Sequence, residues 1–197
     1  MTTERIRQET PTVLALIGLR ASGKTTLGKQ LAAATGWSFV DLDAVALADC
    51  AEPDIHTVFA KRGEDAWREA EAAALEQQLE GDRMVLALGG GAPTVGTIEN
   101  RLRAEQSLGR VRVVFLDAPD EVLAERMGKT NTRARPSLGV SQSNLPSSPL
   151  EELILIRNLR QQVFESLADA TVDTSGSETE ALARVLDAAA IKQGPSA

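Results

Sequence analysis

Short apolar runs alternate along the chain with longer segments of helical periodicity. The runs have the length of strands, and turn or polar residues follow each of them closely. Five strands are predicted, at Thr12–Ile17, Ser38–Leu42, Met84–Leu88, Val111–Leu116 and Ala170–Asp173. Helices are predicted between them, at about Gly23–Thr35, Ile55–Arg62, Asp65–Glu80, Val95–Ser107, Asp120–Met127, Leu150–Leu167 and Glu178–Ile191. This alternation predicts parallel βαβ units, and therefore an α/β three-layer sandwich with helices on both faces of one sheet.

The 197 residues show no internal repeat, so we expect a single domain with tails at 1–11 and 193–197. One low-complexity segment, Ser137–Pro149, is rich in Ser and Pro and follows an Arg-rich stretch, as is typical of a mobile lid; we place the lid at about 126–150. Runs such as Val13–Ile17 are too short to cross a bilayer, and Met1–Pro11 has no apolar core of a secretory signal.

Composition narrows the classes of partner. The net charge of −7 disfavours binding to nucleic acid or to an anionic membrane. Aromatic residues make up only 3% of the chain, so the core must be aliphatic. The single cysteine, Cys50, excludes an internal disulfide and is typical of a reducing compartment. We therefore expect a cytoplasmic protein, a monomer, with small-molecule partners.

The clearest motif is Gly18–Thr25, GLRASGKT, which fits the P-loop pattern G-x-x-x-x-G-K-[ST]. It follows the first predicted strand and begins a helix, as the function of such a loop requires. Its glycines let backbone N–H groups face phosphates, and the helix N-terminus adds partial positive charge. Lys24 is expected on the β- and γ-phosphates and the Thr25 hydroxyl on Mg²⁺. The predicted ATP-binding residues of the loop are Gly18, Leu19, Arg20, Ala21, Ser22, Gly23, Lys24, Thr25 and Thr26.

Two carboxylates follow in Phe39–Asp43, FVDLD. Residues two apart on a strand share a face, so both would point into a site at the carboxyl edge of the sheet. One could order the water shell of Mg²⁺ and the other accept hydrogen bonds from a substrate hydroxyl. The alternative is that Asp43 only caps the next helix. A GTPase switch protein is disfavoured, because the guanine-reading sequence N-K-x-D does not occur.

Further motifs follow in order: Ile55–Glu71 (IHTVFAKRGEDAWREAE), the triple glycine Gly89–Gly91, and Arg160–Asp169 (RQQVFESLAD). Together with the P-loop and Asp41/Asp43, these resemble the shikimate kinase family over about Leu14–Gly176. The family pattern is I-x-x-x-F-x-x-x-G-E-x-x-F-R-x-x-E, a triple glycine, R-P-L-L and R-x-x-L-Y-x-x-x-A-D. The resemblance implies a P-loop kinase of the nucleoside-monophosphate-kinase-like fold, with a five-stranded sheet of order 2-3-1-4-5.

The implied activity is Mg²⁺-dependent transfer of the γ-phosphoryl group of ATP to the 3-hydroxyl of shikimate, in the pathway to chorismate and the aromatic amino acids. An acceptor-binding subregion is expected at about 43–80. Arg68 and Arg160 would bind the carboxylate, for which a guanidinium is a suitable paired donor. Glu71 would hold Arg68, and Asp43 would accept the proton of the attacking hydroxyl. The other implied acceptor contacts are Phe59, Trp67, Gly89, Gly90 and Gly91.

The resemblance also assigns the lid and the metal site. Arg135, before Pro136, matches the lid arginine that stabilises charge during transfer, with Arg133 as a rival. Arg126 matches, less securely, the arginine that stacks on adenine. The segment Asp173–Gly176, with Asp173 and Thr174, resembles the loop on the other side of adenine. Thr25 and Asp41 are the implied metal residues.

Some positions depart from the family pattern. Ala21 replaces a frequent glycine, where a methyl group is acceptable if φ is negative. Trp67 and Phe164 replace Phe and Tyr, and Ser137 interrupts the R-P-L-L run. Two alternatives therefore stay open: a kinase for another small polyol acid such as gluconate, and a non-catalytic nucleotide-binding relative.

Overall fold

The structure is a computed structural model that describes residues 11–129 and 148–189. Its strands are β1 (Val13–Ile17), β2 (Ser38–Asp41), β3 (Met84–Ala87), β4 (Val111–Asp117) and β5 (Ala170–Asp173). Its α-helices are α1 (Lys24–Thr35), α2 (Leu42–Cys50), α3 (Ile55–Gln78), α4 (Gly96–Ser107), α5 (Asp120–Lys129), α6 (Pro149–Leu167) and α7 (Glu178–Ala189). A short 3₁₀ helix covers Ala92–Thr94.

The strands form one parallel sheet in the order β2-β3-β1-β4-β5, which confirms the predicted fold class. Leu14 of the central strand pairs with Val85 of β3 and with Arg112 of β4. Because all strands are parallel, their carboxyl ends meet at one edge of the sheet. Loops that carry chemistry follow these ends in open α/β sheets.

Both faces of the sheet are covered by helices, as the alternation of strands and helices predicted. Successive β1 residues point to opposite faces, so Val13, Ala15 and Ile17 join one core cluster while Leu14 and Leu16 join the other. The larger cluster includes residues of α2 to α6, and the smaller one includes residues of α1 and α7. Strands β1 and β3 are buried throughout because each is flanked by neighbours and covered on both faces.

Two helical segments differ from the sequence prediction. Helix α2 was not predicted; its residues Leu42, Ala46 and Cys50, one helical turn apart, pack into the larger core. The two helices predicted at Ile55–Arg62 and Asp65–Glu80 form α3, interrupted at Gly63 by a non-helical backbone with φ 85° and ψ 173°. Strand β2 ends at Asp41, one residue earlier than predicted, because α2 begins at Leu42.

The predicted tails, except for Pro11, and most of the predicted lid, including Arg133 and Arg135, lie outside the described residues. The single-domain and lid boundaries therefore stay predictions. Within the part of the chain that the structure covers, no helix is long and apolar enough to span a membrane.

Candidate active site

The P-loop connects β1 to α1 and encloses the Lys24 ammonium group. Lys24 Nζ donates to the carbonyls of Gly18 at 2.9 Å and Leu19 at 2.8 Å. Gly18 has φ 145°, and a Cβ there would overlap the carbonyl oxygen of Leu116 on the neighbouring strand. Gly23, with φ 98°, is the N-cap of α1. The loop thus ends at a helix N-terminus, the arrangement that binds phosphate.

Ala21 does not have the negative φ that would make its methyl group unstrained. Its φ is 61°, in the left-handed region. This conformation costs an L-residue with a Cβ about 1–2 kcal/mol. The strain lies inside the phosphate-binding loop itself.

A cavity of about 520 Å³ opens beside the P-loop; we call it the nucleotide cavity. Its lining contains most of the residues predicted to bind ATP: Arg20, Ala21, Ser22, Gly23, Lys24, Thr25, Thr26, Arg126 and Thr174. Gly18 and Leu19 are not in this lining, and they contribute the carbonyls that hold Lys24. Residues that sequence reasoning did not single out also line the cavity: Met127, Lys129, Glu178 and Ala181.

One end of the nucleotide cavity is formed by a network between α5 and the loop after β5. Arg126 Nη2 donates to the Thr174 carbonyl at 2.5 Å. The buried Thr174 hydroxyl donates to the carbonyls of Ser22 at 3.1 Å and Asp117 at 3.0 Å. Asp173 is exposed and accepts from the Ser175 N–H at 2.8 Å. The P-loop and this loop are therefore tied together, and the adenine contacts of Arg126, Asp173 and Thr174 stay predictions.

Asp41 and Asp43 both line the nucleotide cavity, although the reasoning from one strand face was wrong. Asp41 ends β2 and is the N-cap residue of α2, whereas Asp43 lies in the first turn of that helix. Asp43 is only 7% exposed and is not a cap, so the alternative reading of it was wrong as well.

The Thr25 hydroxyl lies 3.3 Å from Asp41 Oδ2, directly after the P-loop. Mg²⁺ prefers oxygen ligands and in phosphate sites takes one or two from the protein, with phosphates and water completing its shell. The donor chemistry of Thr25 and Asp41 therefore fits a magnesium site at the edge of the phosphate cradle.

A second, smaller cavity of about 40 Å³ adjoins the first; we call it the acceptor cavity. Arg20, Asp43 and Gly90 line both cavities. All but one of the residues predicted to bind the acceptor line the smaller one: Asp43, Trp67, Arg68, Glu71, Gly89, Gly90, Gly91 and Arg160. The structure thus brings Arg68, Arg160 and Asp43 together within reach of the Lys24 loop.

Phe59 is the exception. It is partly buried and packs against the larger core, and among the described residues it lines neither cavity. Its acceptor contact remains a prediction that the geometry does not support. Trp67, by contrast, is 2% exposed and contributes both to the core and to the wall of the acceptor cavity.

Arg68 is held by two carboxylates of its own helix. Its Nη1 donates to Glu71 Oε2 at 2.6 Å, and its Nη2 donates to Glu64 Oε1 at 2.9 Å. Glu71 is 1% exposed, and this burial raises its pKa to about 7, against the lowering effect of Arg68 and with a further increase from Asp43. Arg68 is thereby oriented into the cavity.

Arg160 lies on α6 and is placed differently. Its Nη1 donates to the Gly90 carbonyl at 2.9 Å. Burial, and next the positive charge of Arg68, lower its pKa. Within residues 11–129 and 148–189, no carboxylate lies within ion-pair distance of this guanidinium. The cavity therefore contains a partly buried cation that an anionic ligand could neutralise.

The triple glycine is needed because protein groups fill the space around it. A Cβ at Gly89 would overlap Asp43 Oδ1, and one at Gly91 would lie 2.6 Å from Arg68 Nη2. Gly90 contacts the P-loop, since its Cβ would lie 3.5 Å from the Gly18 carbonyl oxygen. The sequence prediction had attributed the glycines to the acceptor alone.

Helix α6 is anchored by an arginine that sequence reasoning missed. Arg157 donates to Asp117 at 2.8 Å, to Asp120 at 2.7 Å and to the Ala118 carbonyl at 2.6 Å. These acceptors lie at the end of β4 and the start of α5. One turn further on, α6 presents Arg160 to the acceptor cavity. Three other residues of this cavity were also missed: Ile55, Glu152 and Ile156.

Comparisons with known proteins find shikimate kinases both among sequences and among solved structures. A family profile described as shikimate kinase matches residues 20–190. A shikimate kinase of Chlorobium chlorochromatii is 34% identical over 91% of this chain and 93% of that protein. A solved structure, shikimate kinase from Acinetobacter baumannii in complex with shikimate, aligns with a TM-score of 0.76 and 28% identity over 91% of this chain and 93% of that one. A gluconokinase from Sinorhizobium meliloti aligns with a TM-score of 0.60 at 22% identity, over 92% and 93% of the two chains, which shows a shared fold.

Proposed function

The chain belongs to the shikimate kinase family and is a phosphotransferase that acts on a hydroxyl of shikimate. We propose that its two adjoining cavities bind its two substrates. ATP would occupy the nucleotide cavity and shikimate the acceptor cavity. Arg20, Asp43 and Gly90 line both, so the terminal phosphate and the accepting hydroxyl would meet there.

The observation that carries this assignment concerns Arg160, which lies beside Arg68. Among residues 11–129 and 148–189, no carboxylate is within ion-pair distance of its guanidinium. Shikimate has one carboxylate, and a carboxylate accepts paired hydrogen bonds from guanidinium groups. Arg68 already has Glu64 and Glu71 as partners, whereas Arg160 has the Gly90 carbonyl. A bound carboxylate would therefore be held chiefly by Arg160, with Arg68 as the second and more rigid donor.

Asp43 is suited to receive the proton of the attacking 3-hydroxyl. It is nearly buried at the junction of the cavities, where it would accept a hydrogen bond from that hydroxyl. The Lys24 ammonium group donates to carbonyls of its own loop, and with ATP bound it would place its positive charge beside the phosphates. Catalysis would consist mainly of positioning and charge stabilisation, as phosphoryl transfer requires.

Mg²⁺ is proposed as the cofactor, held through Thr25 and Asp41. When bound, it would neutralise negative charge on the β- and γ-phosphates. Arg135, or its rival Arg133, is proposed to complete the site from the lid, and Arg126 to contact adenine. We further propose that the enzyme is a cytoplasmic monomer; the buried free thiol of Cys50, the only cysteine, fits a reducing compartment.

A coupled ADP-release assay with shikimate, gluconate and no acceptor tests the acceptor. We expect turnover with shikimate to exceed turnover with gluconate by at least about 100-fold, because a misplaced hydroxyl pattern leaves buried polar groups unpaired. Preferred turnover of gluconate would favour the alternative kinase. Tight ATP binding without turnover on either acid would instead indicate a non-catalytic relative.

The carboxylate contact is tested with Arg160→Met. We expect the KM for shikimate to rise about 100-fold, the effect of a lost charge-assisted bond, with the KM for ATP changed by less than about 3-fold. Arg103→Met is the matched control, because Arg103 is an exposed residue of α4 paired with Glu99. Shikimate methyl ester should bind wild type and Arg160→Met equally. Equal losses for ATP and shikimate would refute the assignment.

A further inference from the structure

Arg20 occupies a variable position of the P-loop and contacts more than the nucleotide cavity. It lines the nucleotide cavity with the rest of the loop, and it also lines the acceptor cavity. Its side chain is only 18% exposed. The P-loop and the triple glycine approach each other here, as shown by a Cβ built at Gly90, which would lie 3.9 Å from the backbone nitrogen of Arg20. Arg20 therefore lies at the boundary that the phosphoryl group must cross.

The Arg20 side chain is directed toward the acceptor side by Glu152. Arg20 Nη1 donates to Glu152 Oε1 at 3.2 Å, and the carboxylate is 15% exposed. Glu152 belongs to the first turn of α6, the helix that also carries Arg160, and lines the acceptor cavity. The two residues are 132 positions apart in the sequence, so this ion pair joins the P-loop to the first turn of α6.

Three arginines line the acceptor cavity, and one of them is shared with the nucleotide cavity. Arg68 and Arg160 line the acceptor cavity, whereas Arg20 lines both cavities. Arg20 is close enough for its positive charge to lower the pKa of Arg160, after the larger effects of burial and Arg68. A ligand with two anionic groups would match this arrangement, one group at Arg68 and Arg160 and the other at the shared boundary with the nucleotide cavity. Shikimate has one anionic group, whereas its phosphorylated product has two.

We propose that Arg20 binds the phosphoryl group during transfer and then the phosphate of the product, and that Glu152 is the positioning residue that aims it. The inference rests on the proposed function. In the step concerned, the bond from the γ-phosphorus to the β–γ bridging oxygen breaks and its electrons stay on ADP. The bond from the acceptor hydroxyl oxygen to phosphorus forms, and the hydroxyl proton passes to Asp43. Arg20 offers guanidinium N–H donors to the phosphoryl oxygens on both sides of this step.

The distinguishing test is the affinity for shikimate 3-phosphate compared with that for shikimate. Arg20→Met keeps most of the apolar stem of the side chain and removes its charge. We expect it to lower kcat about 100-fold and to weaken binding of shikimate 3-phosphate by a similar factor, while binding of shikimate and of ATP changes by less than about 3-fold. Product binding is measured by calorimetry, and kcat by the coupled assay.

Two further variants distinguish a direct contact between Arg20 and the phosphate from a merely structural role of this residue. Arg20→Lys retains a point charge, so it should recover at least about 10-fold of the lost product affinity. Glu152→Gln keeps a hydrogen bond without the charge and should cost less, about 3- to 10-fold in kcat, with no loss of shikimate affinity. If Arg20→Met does not fold, Arg20→Lys takes its place in the test. Compared with wild type, it should bind shikimate 3-phosphate more weakly and bind shikimate equally well. Arg103→Met should match wild type in every measurement.

Equal weakening of shikimate and its phosphate in Arg20→Met would overturn the proposal, since the residue would then only shape the cavity. A change confined to ATP binding would also overturn the proposal, because Arg20 would then act on the nucleotide alone. The proposed function fails separately: wild type would then not phosphorylate shikimate. If wild type is active and Arg20→Met is indistinguishable from it, only this inference fails.

Discussion

Glu71 should make the folded protein less stable as the pH rises toward neutrality, and Glu71→Gln should remove that dependence. The carboxyl group is buried between Arg68 and Asp43, and burial is the largest cause of its raised pKa. A group that binds its proton more tightly in the folded chain contributes most stability below its unfolded pKa. That contribution is then lost as the pH rises through the folded pKa.

The size of the effect follows from the two pKa values. An increase from 4.5 to about 7 corresponds to about 3.4 kcal/mol in total, at about 1.4 kcal/mol per pH unit. About 2 kcal/mol of this falls between roughly pH 5 and pH 7.5, because part of the unfolded population is already ionised at the lower value. Glutamine has nearly the same shape and cannot ionise. As the pH rises over that interval, the free energy of unfolding of wild type should therefore fall by about 2 kcal/mol relative to that of Glu71→Gln.

Urea denaturation of both proteins at the two pH values measures this double difference, and other titrating groups cancel in it. Glu69→Gln is the matched control, since Glu69 is exposed on the same helix and its replacement changes the net charge equally. The control should show a pH-independent difference from wild type. If Glu71→Gln behaves like the control, Glu71 is ionised throughout and the argument from burial is refuted.

Two further predictions concern the backbone of the two loops. Gly91→Ala would place a Cβ 2.6 Å from Arg68 Nη2 and displace that guanidinium, so the shikimate KM should rise about 10-fold or more with the ATP KM unchanged. Gly96→Ala, where a Cβ meets nothing within 4 Å, is its kinetic control, and equal kinetics for the two variants would contradict the prediction. Ala21→Gly relieves the positive φ and should raise the unfolding free energy by up to about 1 kcal/mol. Ala60→Gly, in the exposed face of α3, should lower it by about 0.5–1 kcal/mol, and a loss in both variants would exclude strain at Ala21.

Helix α2 shows why a short element escaped the sequence prediction. Its nine residues contain two aspartates, and their helical spacing is too brief to distinguish from a loop. The helix is stabilised by the burial of Leu42, Ala46 and Cys50 against the core, a tertiary contact. Its start at Leu42 also turns Asp43 away from the strand, so the correct cavity was predicted for these aspartates by an incorrect geometry.

Arg20 and Glu152 show the same limit for side-chain partners. A P-loop motif predicts the backbone of its variable positions, and it contains no information about a carboxylate 132 residues away. Arg157 was missed for a similar reason, since its acceptors lie on β4 and α5. Distant pairs become visible only when the helices are packed on the sheet.

The sequence by itself determined the sheet, the P-loop and many of the residues that surround the two cavities. Those properties depend on local periodicity and on motifs whose spacing is a property of the chain, as in Val13–Ile17 followed by Gly18–Thr25. Tertiary structure decided which arginine is left to bind an anionic ligand and which carboxyl group has a raised pKa. Partner choice and desolvation depend on what packs around a group, so Arg68, Arg160 and Glu71 acquired their distinct electrostatics only in the folded protein.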